Sequence, residues 1–211
     1  MDIEGKFSEL DVSPNGRYIA YNVDNVGNEL NKLHIFDTKT QKEQVVTPEG
    51  YFDDGIVFSQ DEKSIYSSRS LVIWGPASIF ITDLKTGKSK AFFRTTDKDI
   101  ITTHGKSQNK KWMDIVKIVS NDEQYLGMLN LETRKFKWLL KEKDVIVDSA
   151  IWLGNTLYFI SNYKSDIFQV WKTTPHGKLE HVGLGITKNI SELSLTSDGL
   201  MSILYREDLG P

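Results

Sequence analysis

Ser13-Pro14-Asn15-Gly16-Arg17-Tyr18-Ile19-Ala20-Tyr21 is a polar turn followed by alternating apolar residues, and the chain repeats it. Echoes are Ser59-Gln60-Asp61-Glu62-Lys63-Ser64-Ile65-Tyr66-Ser67 and Ser107-Gln108-Asn109-Lys110-Lys111-Trp112-Met113-Asp114-Ile115. A degenerate copy, Trp152-Leu153-Gly154-Asn155-Thr156-Leu157-Tyr158-Phe159-Ile160, precedes Thr196-Ser197-Asp198-Gly199-Leu200-Met201-Ser202-Ile203-Leu204. The copies start at 13, 59, 107, 152 and 196, which is 46, 48, 45 and 44 residues apart. Asn-Gly and Asp-Gly tolerate the positive φ of a two-residue hairpin turn. Tyr18, Ala20 and Ile65 then restart a strand with one face inward.

A second motif runs in phase with the first. Leu33-His34-Ile35-Phe36-Asp37-Thr38-Lys39-Thr40-Gln41-Lys42 is matched by Ile79–Lys88, Leu126–Lys135 and Phe168–Lys178. Each is a strand, a polar turn and a lysine that opens another strand. The anchor positions Asp37, Asp83, Asn130 and Lys172 lie 46, 47 and 42 residues apart. Each repeat therefore holds about four strands, in the first roughly 7–13, 17–23, 32–37 and 43–46. No segment carries a long helical period. Four short strands per unit of this length predict an all-β fold, a β-propeller of four-stranded antiparallel blades. Blades are expected at about 7–47, 54–94, 99–141 and 146–183, with a half blade at about 190–206. With a period of about 46, five blades need about 229 residues. The 211 present make about four and a half. The expectation is an incomplete ring, cut from a longer chain or pairing its open edge with another chain.

Composition excludes several function classes. The 26 Lys and Arg against 29 Asp and Glu give a net charge of −3, with no electrostatic footprint for nucleic acid or an anionic membrane. There is no cysteine, hence no disulfide, thiolate metal site or cysteine nucleophile. The acidic, polar opening Met1–Lys6 has no apolar signal segment behind it, which points to the cytoplasm. The longest apolar stretch, Leu71–Ile81, is broken by Gly75-Pro76 and is too short to span a bilayer.

The Ser13–Tyr21 stretch resembles the Ser-Pro-Asp-Gly-Lys-x-Ile-Ala-Tyr repeat of TolB-like propellers and of the amino-terminal propellers of the prolyl oligopeptidase family. That family includes acylaminoacyl and dipeptidyl peptidases. Phe80-Ile81-Thr82-Asp83-Leu84-Lys85-Thr86-Gly87-Lys88 is similar to the family's Ile-x-Val-x-Asp-Leu-x-Thr-Gly-Lys strand and turn. Asn109-Lys110 and the longer turn at Thr174–Gly177 depart from the pattern. The resemblance implies a non-catalytic cap over an α/β-hydrolase domain, admitting peptides and excluding folded proteins. The implied partner is that hydrolase domain, on the same parent chain or a second one, with peptides as further ligands. A free-standing TolB-like scaffold for proteins or peptides is the alternative. A five-bladed glycoside hydrolase using channel carboxylates is the second alternative.

Catalytic motifs are missing from the chain. Gly-x-Ser-x-Gly is absent, as are the phosphate-cradling Gly-x-x-x-x-Gly-Lys-Ser/Thr and Gly-x-Gly-x-x-Gly. Gly183-Leu184-Gly185 is a lone fragment, read as a turn between blades, and no cofactor is implied. His34, His104, His176 and His181 show no zincin spacing, so no metal is expected. His34 reads as a packed or edge histidine and His176 as a solvated turn residue. His104, beside the first strand of blade 3, is a candidate for the channel lining. Asp53 and Asp54, Asp97 and Asp99, and Asp144 and Asp148 lie just before or on inner strands, where paired acids of a glycosidase would sit. Of these, Asp53, Asp54 and Asp148 are the channel-lining candidates. Lys106–Lys111 reads as a solvated turn, and the glycosylation pattern Asn189-Ile190-Ser191 as silent.

Four of the five tryptophans read as inter-blade core. Trp74, before Gly75-Pro76 in the long connection between the second and third strands of blade 2, is the candidate partner contact. An indole packed inside its own blade would rule this out.

Overall fold

A computed structural model describes residues 6–24, 27, 30–59, 61–109, 111–196 and 198–205. Gln60, Lys110 and Ser197 of the repeat motif, and Arg206 at the end of the expected half blade, lie outside the described residues. Every regular element described is a strand. The first sheet runs β1 (Lys6–Val12), β2 (Tyr18–Asp24), β3 (Lys32–Asp37), β4 (Lys42–Val45). The second runs β5 (Phe52–Phe58), β6 (Ser64–Ser70), β7 (Ala77–Asp83), β8 (Ser89–Phe93). The third comprises β9 (Ile100–Thr102), β10 (Trp112–Ser120), β11 (Glu123–Asn130) and β12 (Phe136–Leu140). The fourth runs β13 (Val147–Leu153), β14 (Thr156–Ser161), β15 (Gln169–Thr173), β16 (Glu180–His181). A two-stranded fifth sheet holds β17 (Ile190–Leu195) and β18 (Met201–Tyr205). These are the antiparallel blades of a β-propeller, four of four strands and one small sheet. The chain divides into two compact units, one ending at Thr103 and one beginning at His104.

Two side-chain devices explain why the repeats fold alike. In the first turn Ser13 Oγ accepts the Tyr18 N–H at 2.9 Å, while the Ser13 N–H donates to the Tyr18 carbonyl at 2.8 Å. Ser59 and Ser64, and Ser107 and Trp112, repeat both bonds, and Thr196 and Leu200 repeat them one residue tighter. Positive φ is needed only where the loop turns back, at Gly16 (72°), Glu62 (52°) and Gly199 (91°). These loops are thus longer than the two-residue hairpins expected from Asn-Gly and Asp-Gly, because the serine side chain closes a wider turn. The two-residue turn belongs to the degenerate copy, where Leu153 pairs with Thr156 across Gly154-Asn155.

In the second device Asp37, Asp83 and Asn130 each collect two N–H groups from the following turn. Thr86 and Thr133 add hydroxyl bonds to the latter two. These bonds, the Thr86 hydroxyl first, hold the Asp83 carboxyl below its ordinary value.

Each unit has its core between blades. In the first unit Tyr18, Ala20, Leu33, Ile35 and Val46 pack on Ile56, Phe58, Ile65 and Leu84. In the second, alternation along β14 sends Leu157 and Phe159 toward the third blade and Ile160 toward Leu193 of the fifth sheet. Each such fully buried aliphatic side chain contributes about 1.5–3 kcal/mol. Blades are also stitched turn to turn at the repeat spacing. The Asn15 N–H donates to Glu62 Oε1 at 2.8 Å, and the Asn109 N–H donates to Asn155 Oδ1 at 3.2 Å.

Candidate interaction site

Strand β6 ends in Ser67-Ser68-Arg69-Ser70, all buried, and the chain then leaves the sheet as Leu71-Val72-Ile73-Trp74. Burial on both faces of β6 stops here, and four apolar side chains follow one another on a connection. Ser70 Oγ holds the loop, donating within reach of the Val72 carbonyl (3.0 Å) and the Pro76 carbonyl (2.8 Å) and accepting the Val72 N–H (3.3 Å). The Gly75 N–H closes on the Val72 carbonyl at 2.9 Å. A side chain at Gly75 would lie 2.8 Å from that carbonyl, so glycine is needed for the closure. Trp74 adopts φ 54°, an uncommon backbone for a bulky residue, and is 68% exposed. Leu71 and Val72 are equally open at 61% and 62%. The loop is therefore closed at its base by Ser70 and Gly75 and presents an apolar surface at Leu71, Val72 and Trp74.

The acids expected near the channel behave differently. Asp53 is fully buried on β5, directly opposite Arg69 on β6. Arg69 Nε lies 3.0 and 3.1 Å from the two Asp53 oxygens, and its terminal nitrogen 2.9 Å from Oδ2. Ser67 Oγ donates to Oδ1 at 2.7 Å and Thr47 Oγ1 to Oδ2. The guanidinium also reaches the Val46 carbonyl at 3.3 Å and stacks 4.9 Å above the Phe80 ring. Asp53 thus does not face solvent. It joins the segment after β4 to β5 and β6, and every oxygen is engaged. Its neighbour Asp54 is exposed and accepts from Thr102 Oγ1 at 3.4 Å.

His104 is anchored by Asp114, a fully buried carboxylate on β10. Asp114 Oδ2 accepts the His104 N–H at 2.9 Å and lies 3.2 Å from His104 Nδ1. Its Oδ1 accepts the Gly105 N–H and the Trp152 indole N–H, both at 2.9 Å. Asp148 is exposed and accepts from Ser149 at 3.3 Å. Asp97 is an exposed partner of Arg94 at 2.7 Å, and Asp144 is exposed beside Lys143. His34 is buried, as a packed histidine, with Nδ1 at Glu43 and its ring stacked on Tyr21. Among the described residues no cluster of three or more His, Asp or Glu is arranged to hold a metal ion. No helix among them is long and apolar enough to cross a membrane.

Sequence reasoning picked out Trp74 but passed over Leu71 and Val72, which share its exposure. The signal was present: an unbroken Leu-Val-Ile-Trp run directly before the turn residues Gly75-Pro76. Arg69 and Asp114 were also passed over, since neither stands near its partner in the chain.

The model of the prolyl oligopeptidase N-terminal β-propeller domain matches residues 4–181. No curated protein matches the sequence. Among solved structures, a prolyl endopeptidase superposes with a TM-score of 0.78 at 15% identity, over 96% of this chain and 32% of its own. Prolyl oligopeptidase B from Galerina marginata gives 0.71 at 12%, over 96% and 32%. A TolB protein from Agrobacterium tumefaciens gives 0.73 at 15%, over 98% and 72%. At these identities the likeness is one of fold, and the chain spans about a third of the length of the peptidases it matches.

Proposed function

We propose, from the premise that the chain belongs to the family of prolyl oligopeptidase N-terminal β-propeller domains, that it is the non-catalytic gating propeller of a peptidase. A hydrolase domain outside these 211 residues would carry the chemistry, and this domain would dock on it and restrict entry to peptides. The observation that supports docking is the rigid Leu71–Trp74 tip, more than three-fifths exposed at Leu71, Val72 and Trp74. The buried acids fit the same reading, because Asp53 and Asp114 have their oxygens filled by fixed donors and neither is available as a general acid or base.

The test uses the 211-residue chain with a separately produced hydrolase domain of the prolyl oligopeptidase type. The chain alone should not cleave a fluorogenic proline peptide. Added to the hydrolase domain, it should form a complex that still cleaves short peptides and spares a folded protein substrate. Turnover by the isolated chain would overturn the reading, as would a mixture showing neither complex nor change in substrate size selection.

A further inference from the structure

The fourth blade carries a groove of about 410 Å³, formed where the β14–β15 connection and the segment leaving β16 flank the outer strands. Its floor is Trp171 and His181, which pair across β15 and β16 and so share a face. Ile167 and Ile186 form apolar walls, and Lys164 stands at the rim. Gln169 ties the groove together, donating from Nε2 to the Ile186 carbonyl at 3.2 Å and meeting His181 Nε2 with Oε1 at 3.0 Å.

The charge of this groove is one-sided. No Asp or Glu lines it, in a chain whose net charge is −3. Strand alternation is the reason, for Glu180 points to the opposite face of β16, where it meets Lys172 at 3.4 Å. Lys164 has no carboxylate partner among the described residues and rests its ammonium 5.0 Å from the Tyr163 ring centroid. Its φ of 56° is a conformation that non-glycine residues adopt uncommonly. The Trp171 indole N–H, in the floor, is buried and without an acceptor among the described residues. The groove therefore combines an apolar trough with a donor and a positive charge that no carboxylate among the described residues answers.

The main chain beside it favours a peptide over other amphipathic acids. β16 is the last strand in its sheet. The Val182 N–H bonds the Val170 carbonyl at 2.9 Å, so the antiparallel ladder turns the N–H and C=O of the intervening His181 away from β15. An extended peptide can pair with those groups in the manner of an added strand.

We propose that this groove binds the free carboxyl terminus of a peptide ending in an apolar residue. The terminal side chain lies between Ile167 and Ile186, and the carboxylate meets Lys164. The volume is at the small end of ligand sites, which run to about 300–1,000 Å³, and suits one or two residues. This inference stands apart from the gating reading and needs no hydrolase domain.

Calorimetric titration of the 211-residue chain with acetyl-Ala-Ala-Ala-Leu as free acid, as C-terminal amide, and with octanoate tests it. The free acid should bind saturably. The amide and the Lys164→Glu variant should each bind at least about tenfold more weakly, the scale of one charge-assisted hydrogen bond. Lys164→Arg should keep most of the affinity. Equal binding of acid and amide, no effect of Lys164→Glu, or no saturable binding at millimolar peptide would overturn the proposal. Octanoate binding as tightly as the peptide would overturn its assignment to a peptide.

Discussion

Arg69 and Leu71 stand two residues apart, and their surroundings could hardly differ more. Arg69 is 3% exposed and spends its guanidinium on Asp53, while Leu71 is 61% exposed and opens a tip that touches little of its own domain. The residue types that usually carry chemistry are inside, consumed by the fold, and those that usually make a core are outside. Asp114 extends the pattern in the second unit, where a buried carboxylate is satisfied by N–H donors without a basic side chain as its main partner. Burial, and not residue type, thus separates the side chains held by the fold from those open to solvent. The buried charges hold blades together.

The largest effect should come from breaking the inner half of the contrast. Arg69→Met leaves Asp53 buried without its cation and should cost about 3–5 kcal/mol of unfolding free energy by chemical denaturation. Arg69→Met with Asp53→Leu should recover much of that loss, because no uncompensated charge remains. A double variant no better than the single would show that the pair is not acting as a buried ion pair.

Breaking the outer half should leave stability alone. Trp74→Ser should change unfolding free energy by no more than about 0.5 kcal/mol, as for an ordinary surface change. It should weaken association with the hydrolase domain by at least about 2 kcal/mol, roughly thirtyfold, the mark of a tryptophan hot spot. Sedimentation velocity of the mixture reads this directly.

Gly55 lies in the bulge that brings Asp53 opposite Arg69. Here β5 bulges with φ 68°, and a side chain would lie 2.5 Å from the Thr103 carbonyl. The Gly55 and Ile56 N–H groups donate to Glu9 at 3.0 and 2.9 Å. Gly55→Ala should cost about 1–3 kcal/mol in thermal or chemical unfolding, from strain and overpacking together.

The smallest effect concerns the turns. Asp83 is held below its ordinary value of 3.8, so its contribution to stability is full above that pH and is lost as pH falls through the lower folded value. Asp83→Asn, which copies Asn130 of the next repeat, should keep the turn and flatten the acid side of the stability curve slightly. An unchanged slope between pH 2 and 5 would contradict this.

The blades were legible because their turns are local. Ser13, Ser59 and Ser107 each bind a backbone group five residues on, and such bonds leave a motif in the sequence. The Asp53–Arg69 pair was not legible, because a bulge sets its register. Phe58 opposite Ile65 and Val57 opposite Tyr66, extended without a break, would place Asp54 opposite Arg69. The bulge between Asp54 and Val57 shifts the ladder by one and brings Asp53 there instead. Nothing in Asp53-Asp54-Gly55 announces which carboxylate turns inward until that shift is known. Trp74 was legible as an interruption of strand pattern, whereas Trp171 and His181 meet only through pairing of β15 with β16.

The most direct test of the account is hydrogen exchange and hydroxyl-radical footprinting of the chain with and without the hydrolase domain. Leu71, Val72 and Trp74 should be protected from oxidation in the complex, with no new protection at the already buried Arg69 segment. A complex that forms while Leu71, Val72 and Trp74 stay as reactive as in the free chain would contradict it.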